Sequence, residues 1–301
     1  MYKITQKRNI FFILSIILLI PGILALIFWG LPLSIDFKGG SAIILNFKSE
    51  RPQIQTISEK LSTLDLGNLT VQSVAEKGIS LKLKHIDNET YQKILDNLKS
   101  NFGDIEEVSF DAIGPTIGKE LRNKAFTAVI LVLIFIIIYI AFAFRKVSSG
   151  PVHSWVYGVA AVIALIHDIL MVIGIFSIIS HFLKIEIDIL FVTALLTVLG
   201  FSVHDTIVVF DRIRERLKLS YNKTFEETVN DSINQTLVRS INTTLTTLFV
   251  LLALFLFGGQ SIKYFVLALL IGITSGTYSS IFIASPLLVV WDNVRHRKVN
   301  I

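Results

Sequence analysis

The sequence predicts a membrane protein, mainly α, in which six transmembrane helices form a bundle and one small α+β domain stands outside it. Three observations predict this. Hydrophobic residues make up 52 % of the 301 and charged residues 17 %, with a mean hydropathy of +0.67, against roughly 45–50 % and 25 % in ordinary globular chains. The apolar excess is gathered into six long blocks with few charges. Between the first two blocks lies a stretch of ordinary composition, 31–124.

A hydrocarbon core roughly 30 Å thick needs about 20 apolar residues of helix. The first block, Asn9–Trp29, is interrupted only by Pro21-Gly22. Basic residues precede it, but its apolar stretch is too long for a cleaved signal peptide and no A-x-A site follows, so it is expected to be retained. The second, Ala125–Phe144, contains AVILVLIFIIIYIAFAF. The third and fourth are Val156–Ser180 and Ile187–Phe210. The fifth, Ile241–Phe257, begins polar, and the sixth is Tyr264–Trp291.

Orientation follows from Lys and Arg in the short loops. Lys3, Lys7 and Arg8 precede the first span. Arg145 and Lys146 follow the second. Arg212, Arg214, Arg216, Lys218, Lys223 and Arg239 follow the fourth, and Arg295, Arg297 and Lys298 follow the sixth. The opposite short loops contribute only Lys184 and Lys263. Both termini and the loop 211–240 are therefore expected in the cytoplasm. This topology accounts for the net charge of +5 and the pI of 9.3, so no nucleic-acid partner is implied. Cysteines are absent, which excludes disulfides, iron–sulfur clusters and thiolate zinc sites.

The organisation expected is thus 1–30 as cytoplasmic N-terminus and first span, 31–124 as an extracytoplasmic domain, and 125–301 as five further spans. In the domain, twelve Lys/Arg nearly balance thirteen Asp/Glu. Ser34–Phe47 contains an apolar strand after a Gly-Gly turn. Gln53–Leu64 carries Ile54, Ile57, Leu61 and Leu64 at helical spacing. Leu69–Val74 and Ile79–Ile86 alternate as strands around Lys77-Gly78. Asn88–Phe102 is helical again and Ile105–Phe110 is a last strand. The order β-α-β-β-α-β is that of the ferredoxin-like split βαβ motif. In the cytoplasmic loop, Thr224 and Glu227 fit a capping box. Phe225, Val229, Ile233 and Leu237 draw an apolar stripe, read as an amphipathic helix on the membrane surface that feeds the fifth span. The same stripe would also suit a partner-docking helix.

A charge at mid-bilayer costs about 2.5–3.5 kcal/mol on insertion scales, so such residues are functional candidates. His167-Asp168 lies mid-way along the third span and reads either as a polar clamp between helices or as a proton-handling pair. His204-Asp205 lies in the fourth. Asp205 is seven residues before Arg212, about 10 Å from the basic edge along a helix axis. Arg239 opens the fifth span and would ordinarily snorkel. Asn242, Thr243 and Thr246 follow on its face, which suggests a hydrated or hydrogen-bonded seam inside the bundle with Asp205 as the partner of Arg239. Burial disfavours an ionised aspartate and a neighbouring arginine favours it, so a moving arginine would let Asp205 gain and lose a proton. Each charge moved down the membrane potential yields about 2.3 kcal/mol per 100 mV. The chain has no G-x-x-x-x-G-K-[ST] phosphate cradle. The His-Asp dipeptides sit in apolar spans, so a metal phosphohydrolase is disfavoured, and no catalytic triad has a supporting loop. No cofactor or metal is expected. Gly272 and Gly276 form a G-x-x-x-G that suits close helix packing.

These residues occur in a familiar arrangement. Ile35-Asp36-Phe37-Lys38-Gly39-Gly40, Ile113-Gly114-Pro115-Thr116-Ile117-Gly118-Lys119-Glu120-Leu121 and Ile166-His167-Asp168 occur in order, followed by the run Leu199–Glu215 around His204-Asp205-Thr206. Arg239-Ser240-Ile241-Asn242-Thr243 and Leu252–Gly259 come last. With this set the whole chain resembles the SecF family of protein-export membrane proteins, within the RND superfamily. Position 204 departs from many members by carrying His for Asn. The resemblance implies an RND-like six-span subunit that pairs with SecD and associates with the SecY/SecE/SecG translocon, with YajC and YidC as further possible partners. It implies use of the proton or sodium gradient across the bacterial inner membrane to assist exported unfolded polypeptides. Asp205 and Arg239 would belong to the coupling site, to which SecD would add a further Asp. The rivals are an independent RND-type small-molecule exporter and a non-transporting assembly factor.

Overall fold

The computed structural model describes residues 2–64, 66–74, 76–144, 152–219 and 223–299. Arg145 and Lys146 lie outside them, as do the side chains of Arg297 and Lys298. The chain forms two compact units. One comprises Met1–Pro32, Thr127–Ile185 and Leu190–Ile301, the other Leu33–Phe126 and Glu186–Ile189.

The second unit holds, in order, a one-turn helix α2 (Ile35–Lys38), β1 (Gly40–Phe47), α3 (Ile54–Leu61), β2 (Thr70–Val74), β3 (Gly78–Leu83), α4 (Asn88–Phe102) and β4 (Ile105–Ile113). The sheet order is β2-β3-β1-β4 and every pairing is antiparallel, which is the split βαβ arrangement. Alternation places Ile43, Leu45, Ile79 and Leu81 inward. They meet Ile57 and Leu61 of α3 and Ile94 and Leu98 of α4 in one core. Asp87 caps α4 by accepting from Thr90 N–H at 2.9 Å.

The Gly-Gly turn has a steric cause. Gly39 sits at φ +77° and a Cβ there would lie 2.6 Å from the backbone of Pro115, so the segments around 39 and 115 meet backbone to backbone. The sequence reading did not include Glu186–Ile189 in this unit. Leu33 and Ile187 nonetheless form a parallel bridge, and Lys82 pairs with Glu186 at 2.9 Å.

Among the described residues six helical segments are long and apolar enough to cross a membrane; they build the first unit, although the two that start at Pro115 and Ile189 begin within the bounds of the second. They are α1 (Arg8–Trp29), α5 (Pro115–Ala143), α6 (Ser154–Leu183), α7 (Ile189–Leu219), α8 (Phe225–Phe257) and the pair α9 (Lys263–Ser279) and α10 (Ser285–Val299). A π-helical turn, Ser280–Ala284, links the last two. The spans α6, α7 and α9–α10 are the most buried; α1, α5 and α8 turn most of their apolar surface outward. Pro21 is accommodated within α1. Beside it, a Cβ on Gly22 would lie 2.8 Å from Gly174 Cα, so α1 and α6 touch at their backbones.

One element differs from expectation. The stripe Phe225, Val229, Ile233 does not lie on a separate surface helix, because α8 runs unbroken from its capping box through the fifth span. The stripe packs into the bundle core with Phe210 and Ile213 of α7. The physical reason is a second row, Thr228, Ser232, Thr236, Ser240 and Thr244, all buried. Ser232 and Thr236 donate to carbonyls four residues back, at 2.7 and 3.0 Å. Their polarity is thus absorbed by their own helix, and the apolar row beside them can continue inward.

Candidate ion-coupling site

Asp168 and Asp205 are the two most deeply buried of the four buried aspartates among the described residues, and they stand on α6 and α7. Asp168 of α6 is fully buried. Its Oδ2 accepts from Ser202 Oγ of α7 at 2.6 Å and from Ser279 Oγ of α9 at 2.7 Å. Its Oδ1 accepts from Ser275 Oγ at 2.8 Å and faces His167 Nδ1 at 3.0 Å. A carboxylate offers about four lone-pair sites, and all four have partners here. The shorter distances match charge-assisted O–H···O⁻ bonds.

Asp205 of α7 is 3 % exposed and is supplied far more sparingly. Thr277 Oγ1 of α9 donates to its Oδ2 at 2.9 Å. Thr244 of α8 lies 2.6 Å from the same hydroxyl. A hydroxyl has one hydrogen, so Thr244 donates to Thr277 while Thr277 donates to Asp205. Helix α9 serves both carboxylates. Ser275 and Ser279, one turn apart, share the face toward Asp168, and Thr277, about 200° around from Ser275, faces Asp205.

Glycines bring these groups together. A Cβ on Gly276 would sit 2.9 Å from Ser202 Cβ, and one on Gly272 would overlap Val198. The G-x-x-x-G therefore lets α9 approach α7 until Ser202, Ser275 and Ser279 reach one carboxylate.

The remaining candidates lie elsewhere. Arg239, Asn242, Thr243 and Thr246 do share one face of α8, but that face is exposed. The expected pairing of Arg239 with Asp205 does not form, and Arg239 makes no ion pair among the described residues. The seam inside this chain is the Ser/Thr row offset by one residue, which ends at Thr244. The reason is phase: α8 is one continuous helix whose inward stripe, Phe225 to Ile233, fixes which residues face in farther along. His204 is also exposed, although its neighbour Asp205 is buried.

Sequence reasoning missed Ser202, Thr244, Ser275, Thr277 and Ser279. The available signal was the run Thr274-Ser-Gly-Thr-Tyr-Ser-Ser280, a cluster of hydroxyls in an otherwise apolar span. Among the described residues no group of three or more His, Asp or Glu could hold a metal. What the arrangement can do is hold negative charge in a membrane interior on hydroxyl donors and, at Asp168, one imidazole. Neither carboxylate pairs with a lysine or arginine among the described residues, and a cation or proton can neutralise it.

Comparison with known proteins places the chain in a family. Residues 93–294 match the family model described as protein export membrane protein SecD/SecF, C-terminal. The protein translocase subunit SecF of Thermobaculum terrenum is 49 % identical, over 97 % of this chain and 95 % of that protein. The protein translocase subunit SecDF of Bacillus subtilis is 35 % identical over 99 % of this chain, which spans 39 % of that longer protein. Among solved structures, SecDF of Thermus thermophilus, a translocon-associated membrane protein, superposes with a TM-score of 0.84 at 34 % identity. That match covers 97 % of this chain and 39 % of the other. Fold, family model and near full-length similarity agree, and the chain belongs to the SecF branch of the SecD/SecF family of protein-export membrane proteins.

Proposed function

We propose that this chain, together with SecD, couples the proton or sodium gradient to late steps of protein translocation across the bacterial inner membrane. The observation that carries the reading is Asp205: a carboxylate 3 % exposed, in a membrane span, with one hydroxyl donor and no lysine or arginine paired with it among the described residues. The exposed face bearing Arg239, Asn242 and Thr243 supports a site completed by another chain. An arginine on an apolar helix surface is stable where a partner covers it, and the similarity to SecDF proteins supports SecD as that partner. His204, also exposed, would face the same junction. The translocon SecY/SecE/SecG, YajC and YidC are the further partners, and exported unfolded polypeptides the cargo. Both termini are cytoplasmic in this reading, which puts the domain at 33–126 on the outer side. The role is transport, with no cofactor beyond the coupling ion.

The test is ion flux in vesicles that carry the SecD–SecF complex, with either a proton or a sodium gradient imposed. Flux of one ion that is lost in Asp205→Asn supports coupling. Flux and export unchanged in that variant would leave the chain a non-transporting assembly factor.

A further inference from the structure

We propose that His167 and Asp168 form a proton-binding site of their own, which takes up one proton at His167 Nε2 from the groove between α1, α6 and α9. The inference rests on the ion-coupled reading only for what the proton is used for; the site itself stands on geometry.

Asp168 fixes the histidine tautomer. Three serine hydroxyls lie 2.6–2.8 Å from its carboxylate oxygens. Ser279 Oγ also lies 3.1 Å from Gly276 carbonyl oxygen, but the carboxylate is closer. With those three positions filled by donors, Nδ1 of His167, 3.0 Å from Oδ1, meets an acceptor and must carry the hydrogen. Nε2 is then a bare lone pair. It is buried and has no hydrogen-bond partner, and the residue is only 7 % exposed. A buried acceptor left open while a carboxylate orients the other nitrogen is the arrangement that makes an imidazole a proton acceptor.

No neighbouring side chain satisfies Nε2. Tyr278 of α9 packs its ring 6.2 Å from the imidazole. Its hydroxyl, however, donates to Phe11 carbonyl oxygen at 2.8 Å and accepts from Ser15 at 3.2 Å. The charged residues of α1 and α9 are Arg8 and Lys263, the first of each helix, and Arg8 is engaged with Glu226. From α7, Ser202 is committed to Asp168, Asp205 is turned to Thr277 and His204 is exposed. On α6 itself, His181 stacks on Trp29. The proton must come from outside the protein. His167 lines a groove of about 520 Å³ whose other walls include Leu14, Leu18, Thr274 and Ser275.

The step balances simply. A hydronium ion or protonated water chain in the groove gives its proton to the Nε2 lone pair. An N–H bond forms, an O–H bond breaks, and water remains. Nδ1–H stays donated to Asp168, and the pair goes from a charge of −1 to zero. In a medium of low dielectric constant the neutral pair is the cheaper state to bury. Asp168 acts here as a positioning residue, because it orients the ring and does not itself take the proton.

The test uses the full chain in lipid nanodiscs, labelled with ¹⁵N-histidine and followed by NMR as pH is lowered. At alkaline pH the resonance of His167 is expected as the Nδ1–H tautomer. On acidification it should convert to the doubly protonated ring, one proton per chain. His167→Gln assigns the resonance. A variant with His85, His153, His181, His204 and His296 all replaced by Gln leaves His167 as the sole imidazole, should His167→Gln fail to fold. An Nε2–H tautomer at alkaline pH, or a ring unchanged throughout the range in which the chain stays folded, overturns the proposal. Asp168→Asn should remove the tautomer preference and Asp205→Asn should leave the titration intact. A missing titration beside Asp205-dependent flux defeats this inference alone. An intact titration beside flux indifferent to Asp205 defeats the coupling reading alone.

Discussion

Asp168 and Asp205 are the same residue type on neighbouring helices, both at most 3 % exposed, yet they are housed in opposite ways. Asp168 has a partner at every lone-pair position, from three helices. Asp205 has one hydroxyl, itself fed by a second. A saturated carboxylate holds helices together, since releasing it orphans four partners at once. A sparsely supplied one can change its charge or its company at the loss of a single bond. The difference separates a carboxylate held by four partners, one of them a histidine, from a carboxylate held by one hydroxyl.

The largest expected effect tests the sparsely supplied carboxylate and the coupling proposed for it. Asp205→Asn and Arg239→Met should each abolish stimulation of export while the chain still inserts and binds SecD, as read by secretion of a reporter and by co-purification. Normal secretion in either variant would break the distinction. Next comes the saturated carboxylate. Asp168→Leu leaves three serines and His167 without their acceptor and should lower stability by about 3–5 kcal/mol, the scale of breaking a buried charged contact. Thermal unfolding in detergent would register this, and Asp205→Asn should melt close to the parent. If both substitutions destabilise equally, the two sites are not housed differently. A smaller effect, about 1–3 kcal/mol from overpacking, is expected for Gly276→Val, which pushes α9 away from Ser202. Its melting loss should not add to that of Asp168→Leu, because both open the same cage.

The smallest effect concerns a carboxylate in water. Asp87 in the outer domain is exposed. The side chain and backbone N–H of Thr90 hold its carboxyl below its ordinary value of 3.8. Its contribution to stability is therefore present above that ordinary value and lost as pH falls through the depressed one. The isolated segment 31–124 should be soluble with a mixed α/β circular dichroism spectrum. Its melting temperature should drop slightly in Asp87→Ala at neutral pH, and that difference should vanish in strong acid. A disordered spectrum would overturn the independent domain.

Much of the architecture was legible because hydrophobic patterning is strong in both environments. Apolar runs near 20 residues announced six spans, and the apolar strand within Ser34–Phe47 with alternation over Leu69–Val74 and Ile79–Ile86 announced a sheet. Asp168, Asp205 and the glycines at 272 and 276 stood out because each breaks an apolar block. The partners did not stand out. Serine and threonine cost little in a membrane helix when they bond their own backbone, so Ser202, Ser275 and Ser279 carry no periodic signature of their role. The outward turn of Arg239 was illegible for another reason. Residues 239, 242 and 243 share a face whichever way it points, and the direction is decided fourteen residues earlier by Phe225 and its stripe. The short strap at Glu186–Ile189 escaped notice because four residues between two spans have no room for a pattern.

The wide turn at Ser280–Ala284 has a consequence for the register of the last span. A π turn takes in an extra residue, and one residue of α-helix is worth about 100° of rotation. The two halves of the span are thereby clocked separately: α9 keeps its hydroxyls aimed at two aspartates, and α10 keeps Leu288 and Val289 in the core. Ser285 stitches the seam by donating to Ser280 carbonyl oxygen at 2.9 Å. Removing one residue from the turn would advance every side chain beyond it by more than a quarter of a revolution, so one half would lose its aim for the other to keep its packing.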